Sequence, residues 1–556
     1  RMTRFTGDAA PRGAAIAIGR STRGKPRSAL EHPYGNYGFQ YRGMGGAVTS
    51  VWDLWRWDRA LRGDAVLGKA AKAELFKPGK KDYALGWFVR KNKQKNCKPS
   101  FNCVGHSLKG IFLISKVHAK RKFQSLDLSS QERCDYWPIQ KRFPEGNYGE
   151  PPFSVMGAGR SITGAFFGKG TSVLQLQEET PHVELDQEAH CVRVSASATV
   201  AHVYNCLIKK GCVLTGLPSY PGVTIGGCIA GNVHGQNHYR EGCFGRNVVS
   251  FSLAHPNRGL RIVSRKSEQE LFDLTVGGFG LTGVITEATI KVVPITTDLL
   301  EVSLRRFSSI AEGYDMMMLD KDETDYFHSW ADLTSLSPQG ERGFFFRGVF
   351  SKNREIVGIK VKHDRRRRSH LPWKPNIFSG PVLKLVNEYY FRSNTRCIRK
   401  TIGIPELIFP SNSRLWYFSM FGKTGLVEHQ VLVPHDAVNS YLYELKRILL
   451  KKSPFISLCH LKLFRGTTNL LNFDGSGLCL AMHLRADQCS FEVLNWLDRI
   501  NIEHGCITNI IKDSRVEPEI LRRQYSGYDK FLTGIINYDQ ELTFQNIISQ
   551  RLFAGT

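Results

Sequence analysis

The sequence predicts an α+β protein, with a cofactor domain followed by a larger substrate domain. Three observations carry this reading. Between residues 153 and 294, short β-rich runs alternate with glycine turns. Beyond 294, strand-like stretches such as 299–304 and 343–350 mix with helical stretches such as 437–450 and 491–504. The composition is that of an ordinary globular chain, with 42% hydrophobic and 23% charged residues over 556 positions, so large cores and an enclosed cofactor are within reach.

In chain order, residues 1–118 are rich in Gly, Trp and basic side chains. Residues 119–152 are polar and carry breakers at Pro138, Pro144, Gly146, Gly149, Pro151 and Pro152, so they read as a connector. The cofactor domain is expected over 153–297, a substrate-binding cap over 298–505, and a C-terminal segment over 506–556. Thirteen cysteines, an odd number without a CxxC pair, argue against a zinc ribbon and a dense disulfide framework. Reduced thiols in a cytoplasmic setting are expected, and no metal. The net charge of +26 favours anionic partners. Its sharpest patch is Lys362-His363-Asp364-Arg365-Arg366-Arg367-Arg368, but no RNA-binding motif or zinc-finger spacing accompanies it, so no nucleic-acid partner is expected. No run of about 18 uncharged apolar residues is present, so no transmembrane segment is expected.

Three glycine clusters mark the cofactor domain. Gly157, Gly159, Arg160 and Ser161 follow the apolar run at 153–155 and read as a strand entering a tight turn. Successive N–H groups in such a turn can cradle an anion. The second cluster runs from Pro221 to Gly235 and contains Gly222, Thr224, Gly226, Gly227, Ala230, Asn232 and His234. It follows an amphipathic stretch at 201–210 that reads as a helix. So many small residues pack poorly unless something large lies against them. The third contains Gly280, Thr282, Gly283 and Val284 and leads into an alternating strand at 286–293.

Together the clusters resemble the FAD-binding domain of the vanillyl-alcohol-oxidase (PCMH-type) superfamily. His234-Gly235-Gln236-Asn237-His238 with Cys243-Phe244-Gly245-Arg246 is similar to the HGKNHH…SFG signature of the decaprenylphosphoryl-ribose 2′-oxidase family, and the resemblance runs from about residue 126 to 531. It implies a two-subdomain PCMH-type FAD-binding domain and an α+β cap with an antiparallel sheet. The first loop would wrap the pyrophosphate, the second would follow the pyrophosphate and ribityl chain, and the third would complete the adenine side. The sequence departs from the family pattern at Ile162-Thr163-Gly164, where Tyr-Gly-Asp is usual, and at Pro218-Ser219-Tyr220, where Pro-Gly-Thr is usual. No histidine stands beside Arg160 and Ser161, and Cys228 reads as a small buried residue, so non-covalent FAD is expected.

Three C-terminal segments resemble the family's chemical elements, and through them Gln430, Lys462 and Lys512 are assigned to catalysis, with Lys512 also beside the flavin. Hydride removal from a carbinol needs a handler for the hydroxyl proton and a cation for the reduced flavin. The apolar run before Lys512 suggests a strand that aims it inward. Lys462 alternates with Leu461 and Leu463, and periodicity leaves open whether its face is solvent or cleft. Cys479 aligns with an active-site cysteine of the family and is read as pocket-lining. The resemblance implies oxidation of a CH–OH group on a sugar-like small molecule, phosphorylated or lipid-linked forms included, with the electron acceptor open.

The N-terminal stretch Arg42–Trp57, with Tyr83-Ala84-Leu85-Gly86-Trp87 and Gly105-His106-Ser107, resembles the C-terminal half of a β-lactamase-type serine hydrolase without its Ser-x-x-Lys nucleophile. Two other readings therefore stand beside the oxidoreductase: a flavin-less binding or scaffold protein, and a serine hydrolase remnant.

Overall fold

A computed structural model describes residues 119–139, 149–334, 341–361, 376, 380–394, 399–410, 412 and 415–554, together with short strands before residue 101. The chain divides into two compact units, 1–116 and 117–556. In the first, Arg4–Phe5 pairs with Ala47–Val48, Ile18–Gly19 with Arg27–Ser28, and Tyr83–Ala84, Trp87–Lys91 and Cys97–Ser100 form a three-stranded sheet. The side chains behind the serine-hydrolase resemblance lie outside the described residues.

The second unit contains three main sheets. The first has the order Phe153–Val155, Ser172–Leu176, Gln131–Ile139, Ala119–Gln124. The expected connector is therefore corrected: residues 119–139 form an antiparallel hairpin, and 131–139 pairs in parallel with 172–176 in the same sheet. The breakers cluster after residue 137, at the end of the hairpin and beyond it. Before them, Phe123, Cys134 and Tyr136 are buried, the last two at strand spacing. The hairpin turn also joins the domains, since Asp127 N–H donates to Ile162 O at 3.2 Å and Leu426 N–H donates to Asp127 O at 3.2 Å.

The second sheet is antiparallel, in the order Val183–Asp186, Cys191–Ser195, Val284–Lys291, Val248–His255, Gly259–Ser264. The expected helix before the second glycine cluster is Val200–Leu207, capped by Thr199, whose hydroxyl accepts from His202 N–H. Backbone bonds from Ile225 to Ala198 O at 2.8 Å and from Gly226 to Ala196 O at 2.9 Å staple the cluster to the end of the second strand.

The third sheet has eight strands: Arg399–Gly403, Leu299–Phe307, Arg342–Phe350, Tyr326–Asp332, Ile456–Phe464, Gly477–Arg485, Leu426–Pro434 and Ile507–Thr508. Every pairing in it is antiparallel. Strands Leu426–Pro434 and Gly477–Arg485 are buried along nearly their whole length, because both faces are covered. One face packs Val427, Val431, Val433, Leu461 and Leu463 against helices Val438–Lys452 and Gln488–Glu503. The period of two turns the alternate residues Glu428, Gln430, His460 and Lys462 to the opposite face.

The C-terminal segment returns to the cofactor domain. Phe544 bridges Phe153, Asn546 Nδ2 donates to Phe279 O at 2.8 Å, and Ile547 N–H donates to Phe167 O at 2.8 Å. Among the described residues no helix is long and apolar enough to cross a membrane.

Candidate functional site

The three glycine clusters and the inner face of the eight-stranded sheet enclose one cavity of about 350 Å³, within the range of small-molecule and cofactor sites. Its lining includes Gly157, Gly159, Arg160 and Ser161 from the first cluster. Thr224, Gly226, Gly227, Ala230, Asn232 and His234 come from the second, and Gly280, Gly283 and Val284 from the third. Gln430, Lys462 and Lys512 line it too, so residues more than 350 positions apart in the chain share one space.

Three expected residues do not line the cavity. Gly235 is required by backbone packing, since a Cβ there would lie 2.6 Å from Leu217 O. Thr282 is fully buried, and its hydroxyl meets that of Thr275 at 2.9 Å. Gly222 is buried in the turn before Thr224. Glycine richness marks close backbone approach of either kind, to a ligand or to the chain itself. Cys479 is also corrected. It is fully buried, behind Gln430, whose Nε2 lies 3.5 Å from its sulfur, and it does not line the cavity.

The cofactor end fits FAD. Gly157 packs so closely on Thr224 that a Cβ would lie 2.2 Å from the threonine hydroxyl. Among the described residues, the amides of Gly157, Ala158, Gly159 and Ser161 donate to no protein acceptor, leaving a row of N–H groups for an anion such as a pyrophosphate. Both departures from the family pattern are part of this wall. Ile162, Pro218, Ser219 and Tyr220 line the cavity, the Tyr220 ring lies 5.9 Å from the Arg160 guanidinium, and Ser219 Oγ accepts from Gln236 Nε2 at 3.1 Å.

The opposite end is built from side chains. Gln430 is 1% exposed; Asn509 Nδ2 donates to its Oε1 at 2.7 Å, and its Nε2 lies 3.2 Å from His234 Nε2. Burial, and then Lys462, hold His234 well below the usual imidazole range, so it is neutral and accepts from Gln430. Its ring packs edge-on to Phe464, with centroids 4.9 Å apart. Lys462 points into the cavity, not to solvent, because Leu461 and Leu463 take the helix-covered face. Burial lowers its amine to about 8.

Lys512 reaches the cavity by a route the sequence did not suggest. The strand ends at Thr508, and Lys512 sits in a turn closed by its N–H to Asn509 O at 3.0 Å. Arg551 fixes that turn by donating to Asp513 O at 2.8 Å and Ile510 O at 3.2 Å. The Lys512 amine lies 3.3 Å from Glu428. Burial alone would raise the Glu428 carboxyl, but Lys512 and His483 outweigh it and hold it well below the usual carboxylate range.

Sequence reasoning missed Glu428, His460, His483 and Asn509, all of which line the cavity. A signal for two of them was present: Glu428 and His460 stand two residues before Gln430 and Lys462, on the same strand faces. His483 and Asn509 carry no local motif.

His238, Cys243 and Asp474 place potential ligand atoms within 4.8 Å of one another. They are better read as a hydrogen-bonded triad. Arg465 N–H donates to His238 Nδ1 at 3.2 Å, so Nε2 carries the ring proton and directs it at Asp474 Oδ1, 3.1 Å away. That proton occupies the nitrogen a metal would need.

Comparison with known proteins identifies the cofactor. A family model described as FAD binding domain matches residues 149–261. Decaprenylphosphoryl-beta-D-ribose oxidase of Mycolicibacterium smegmatis is 27% identical over 71% of this chain and 88% of its own length. L-galactono-1,4-lactone dehydrogenase of Brassica oleracea is 30% identical over 25% of this chain and 23% of its own. D-lactate dehydrogenase of Archaeoglobus fulgidus is 24% identical over 28% of this chain and 36% of its own. FAD is the cofactor, and the mixed helix-and-strand fold with its antiparallel sheets is consistent with an α+β PCMH-type arrangement. The comparisons lend no support to the hydrolase-like reading of residues 1–118.

Proposed function

We propose that this FAD-dependent oxidoreductase oxidises a CH–OH group of a sugar-like or polyol substrate, with the flavin held non-covalently. The observation that carries the reading is the single cavity shared by the glycine-built cofactor wall and the side-chain wall of Gln430, Lys462 and Lys512.

Bound FAD supplies the two-electron acceptor for the hydride that leaves the carbinol carbon. The free amides of the first loop and Arg160 would hold the pyrophosphate, while Thr224, Gly226, Gly227, Ala230 and Asn232 lie along the chain leading inward, and Gly280, Gly283 and Val284 close the adenine side. Gln430 is held on three sides, by Asn509, His234 and Cys479, so its amide has one orientation to offer a substrate hydroxyl. Lys462 is the group suited to the hydroxyl proton. With its amine lowered to about 8, the neutral form that accepts a proton is accessible near physiological pH. Lys512 supplies fixed positive charge at the same end of the cavity. The non-covalent assignment rests on Cys228, which is fully buried, lies outside the cavity lining and has its thiol pushed up by burial, so it makes a poor nucleophile.

Purified protein should be yellow and should release its flavin on denaturation. Anaerobic mixing with polyols, aldonolactones, ribosyl phosphates and 2-hydroxy acids should bleach the flavin with one of the first three classes. Bleaching by 2-hydroxy acids alone would replace the sugar-like substrate, and a colourless protein that fails to take up FAD would favour the flavin-less scaffold.

A further inference from the structure

Glu428 is a buried carboxylate that the proposed reaction does not use. It is 3% exposed and projects from Leu426–Pro434 into the cavity wall. Four groups face it from three elements. Lys512 comes from the turn after Thr508, with its amine 3.3 Å from either carboxylate oxygen. His483, its register partner on Gly477–Arg485, places Nε2 at 3.5 Å. His460 and Lys462 approach from Ile456–Phe464. His483 is itself braced: its Nδ1 lies 3.2 Å from the Tyr417 hydroxyl, and Ser457 Oγ donates to its carbonyl at 3.2 Å.

The two lysines differ in one respect. Lys512 has a counter-ion, whereas among the described residues Lys462 has no hydrogen-bond or ion-pair partner although it is 5% exposed. We propose that Glu428 is a positioning residue: its carboxylate pairs with Lys512, holds it against the sheet wall, and leaves Lys462 as the amine that meets the substrate. The role assigned to Lys462 rests on the function proposed above; the ion pair and the unpartnered amine do not.

The electrostatics run in one direction. Burial lowers Lys462, and so does Lys512; Cys479, the Glu428 charge and Cys243 oppose them. Replacing Glu428 by a neutral group removes that support and exposes Lys462 to the uncompensated Lys512, so both changes push the Lys462 amine further down.

The test uses the full-length holoprotein with Glu428→Gln and Glu428→Asp. Lysines are reductively methylated with a 13C label, and the Lys462 resonance is assigned by its loss in Lys462→Arg. Its titration midpoint, expected at about 8 in the parent, should move to lower pH in Glu428→Gln and return towards the parent value in Glu428→Asp. Flavin content should stay constant, and the pH at which the limiting rate of flavin reduction rises should move down together with the midpoint, Glu428→Asp restoring part of the difference. A midpoint in Glu428→Gln equal to the parent's overturns the proposal, as does a fall in flavin content or melting temperature with no shift in the midpoint. The titration needs no substrate, so it still decides the role of Glu428 if no CH–OH compound reduces the flavin and the functional reading fails.

Discussion

The two ends of the cavity are made in different ways. The cofactor end is backbone: three glycine-rich turns whose N–H groups and missing side chains leave a shaped groove. The other end is side chains on an antiparallel sheet, whose strands at 426–434, 456–464 and 477–485 become neighbours only on folding. A backbone site is written locally, because each turn needs glycine where it stands. A side-chain site is written in pairings between distant strands, and no single segment contains it.

That contrast explains what the sequence disclosed. The α+β class, the helices at 200–207, 438–452 and 488–503, and the three clusters were legible from period and turn chemistry. Gln430, Lys462 and Lys512 were reached through family resemblance, and periodicity could not say which face of the sheet Lys462 occupies. The second sheet face decides it, by covering Leu461 and Leu463 with helices. His483 and Asn509 stayed hidden because their neighbours come from other elements, and Glu428 and His460 were marked only by the strand period they share with Gln430 and Lys462. The hairpin at 119–139 was hidden for a different reason: the prolines and glycines that follow it masked the strand period inside it.

The contrast can be broken first at the backbone end, where the largest effect is expected. Gly157→Val would drive a branched side chain into Thr224, whose hydroxyl would stand 2.2 Å from the new Cβ. Overpacking of this kind costs about 1–3 kcal/mol, and here it falls on the loop whose amides would hold the pyrophosphate. Flavin content and FAD affinity should drop by about tenfold or more, with the protein still folded by circular dichroism. Full flavin occupancy in this variant would show that the first loop is not part of the cofactor wall.

The side-chain end should fail differently, with the cofactor retained and the chemistry slowed. Lys462→Met keeps the length of the stem and removes the amine. Flavin content should match the parent, and the limiting rate of anaerobic reduction should fall by about 10²–10⁴. The pH dependence gives the sign. If the neutral amine accepts the hydroxyl proton, the parent rate rises as pH increases through about 8, where Lys462 loses its proton. In Lys462→Met that limb should vanish. A parent rate that instead falls through the same range would make Lys462 a cationic stabiliser and move proton acceptance to another group.

The smallest effect is expected where backbone and side chain meet, at Cys228. This residue sits in the helix Ile225–Ala230 of the second glycine cluster, the one thiol in that cluster and thus its candidate for a covalent bond to flavin. Its surroundings are the ground for the proposal that it has no such role. The sulfur is fully buried in the hydrophobic core beside Ile225 and Ile229, while the neighbouring Gly226, Gly227 and Ala230 face the cavity. Burial also disfavours the thiolate that would have to attack. Cys228→Ala removes one sulfur from a packed site and should cost on the order of 1 kcal/mol in stability. Flavin content, the rate of reduction and the release of flavin on acid denaturation should all equal those of the parent. A parent whose flavin stays with the denatured chain, and an alanine variant whose flavin does not, would place a covalent bond at Cys228 and make the second cluster a side-chain site after all.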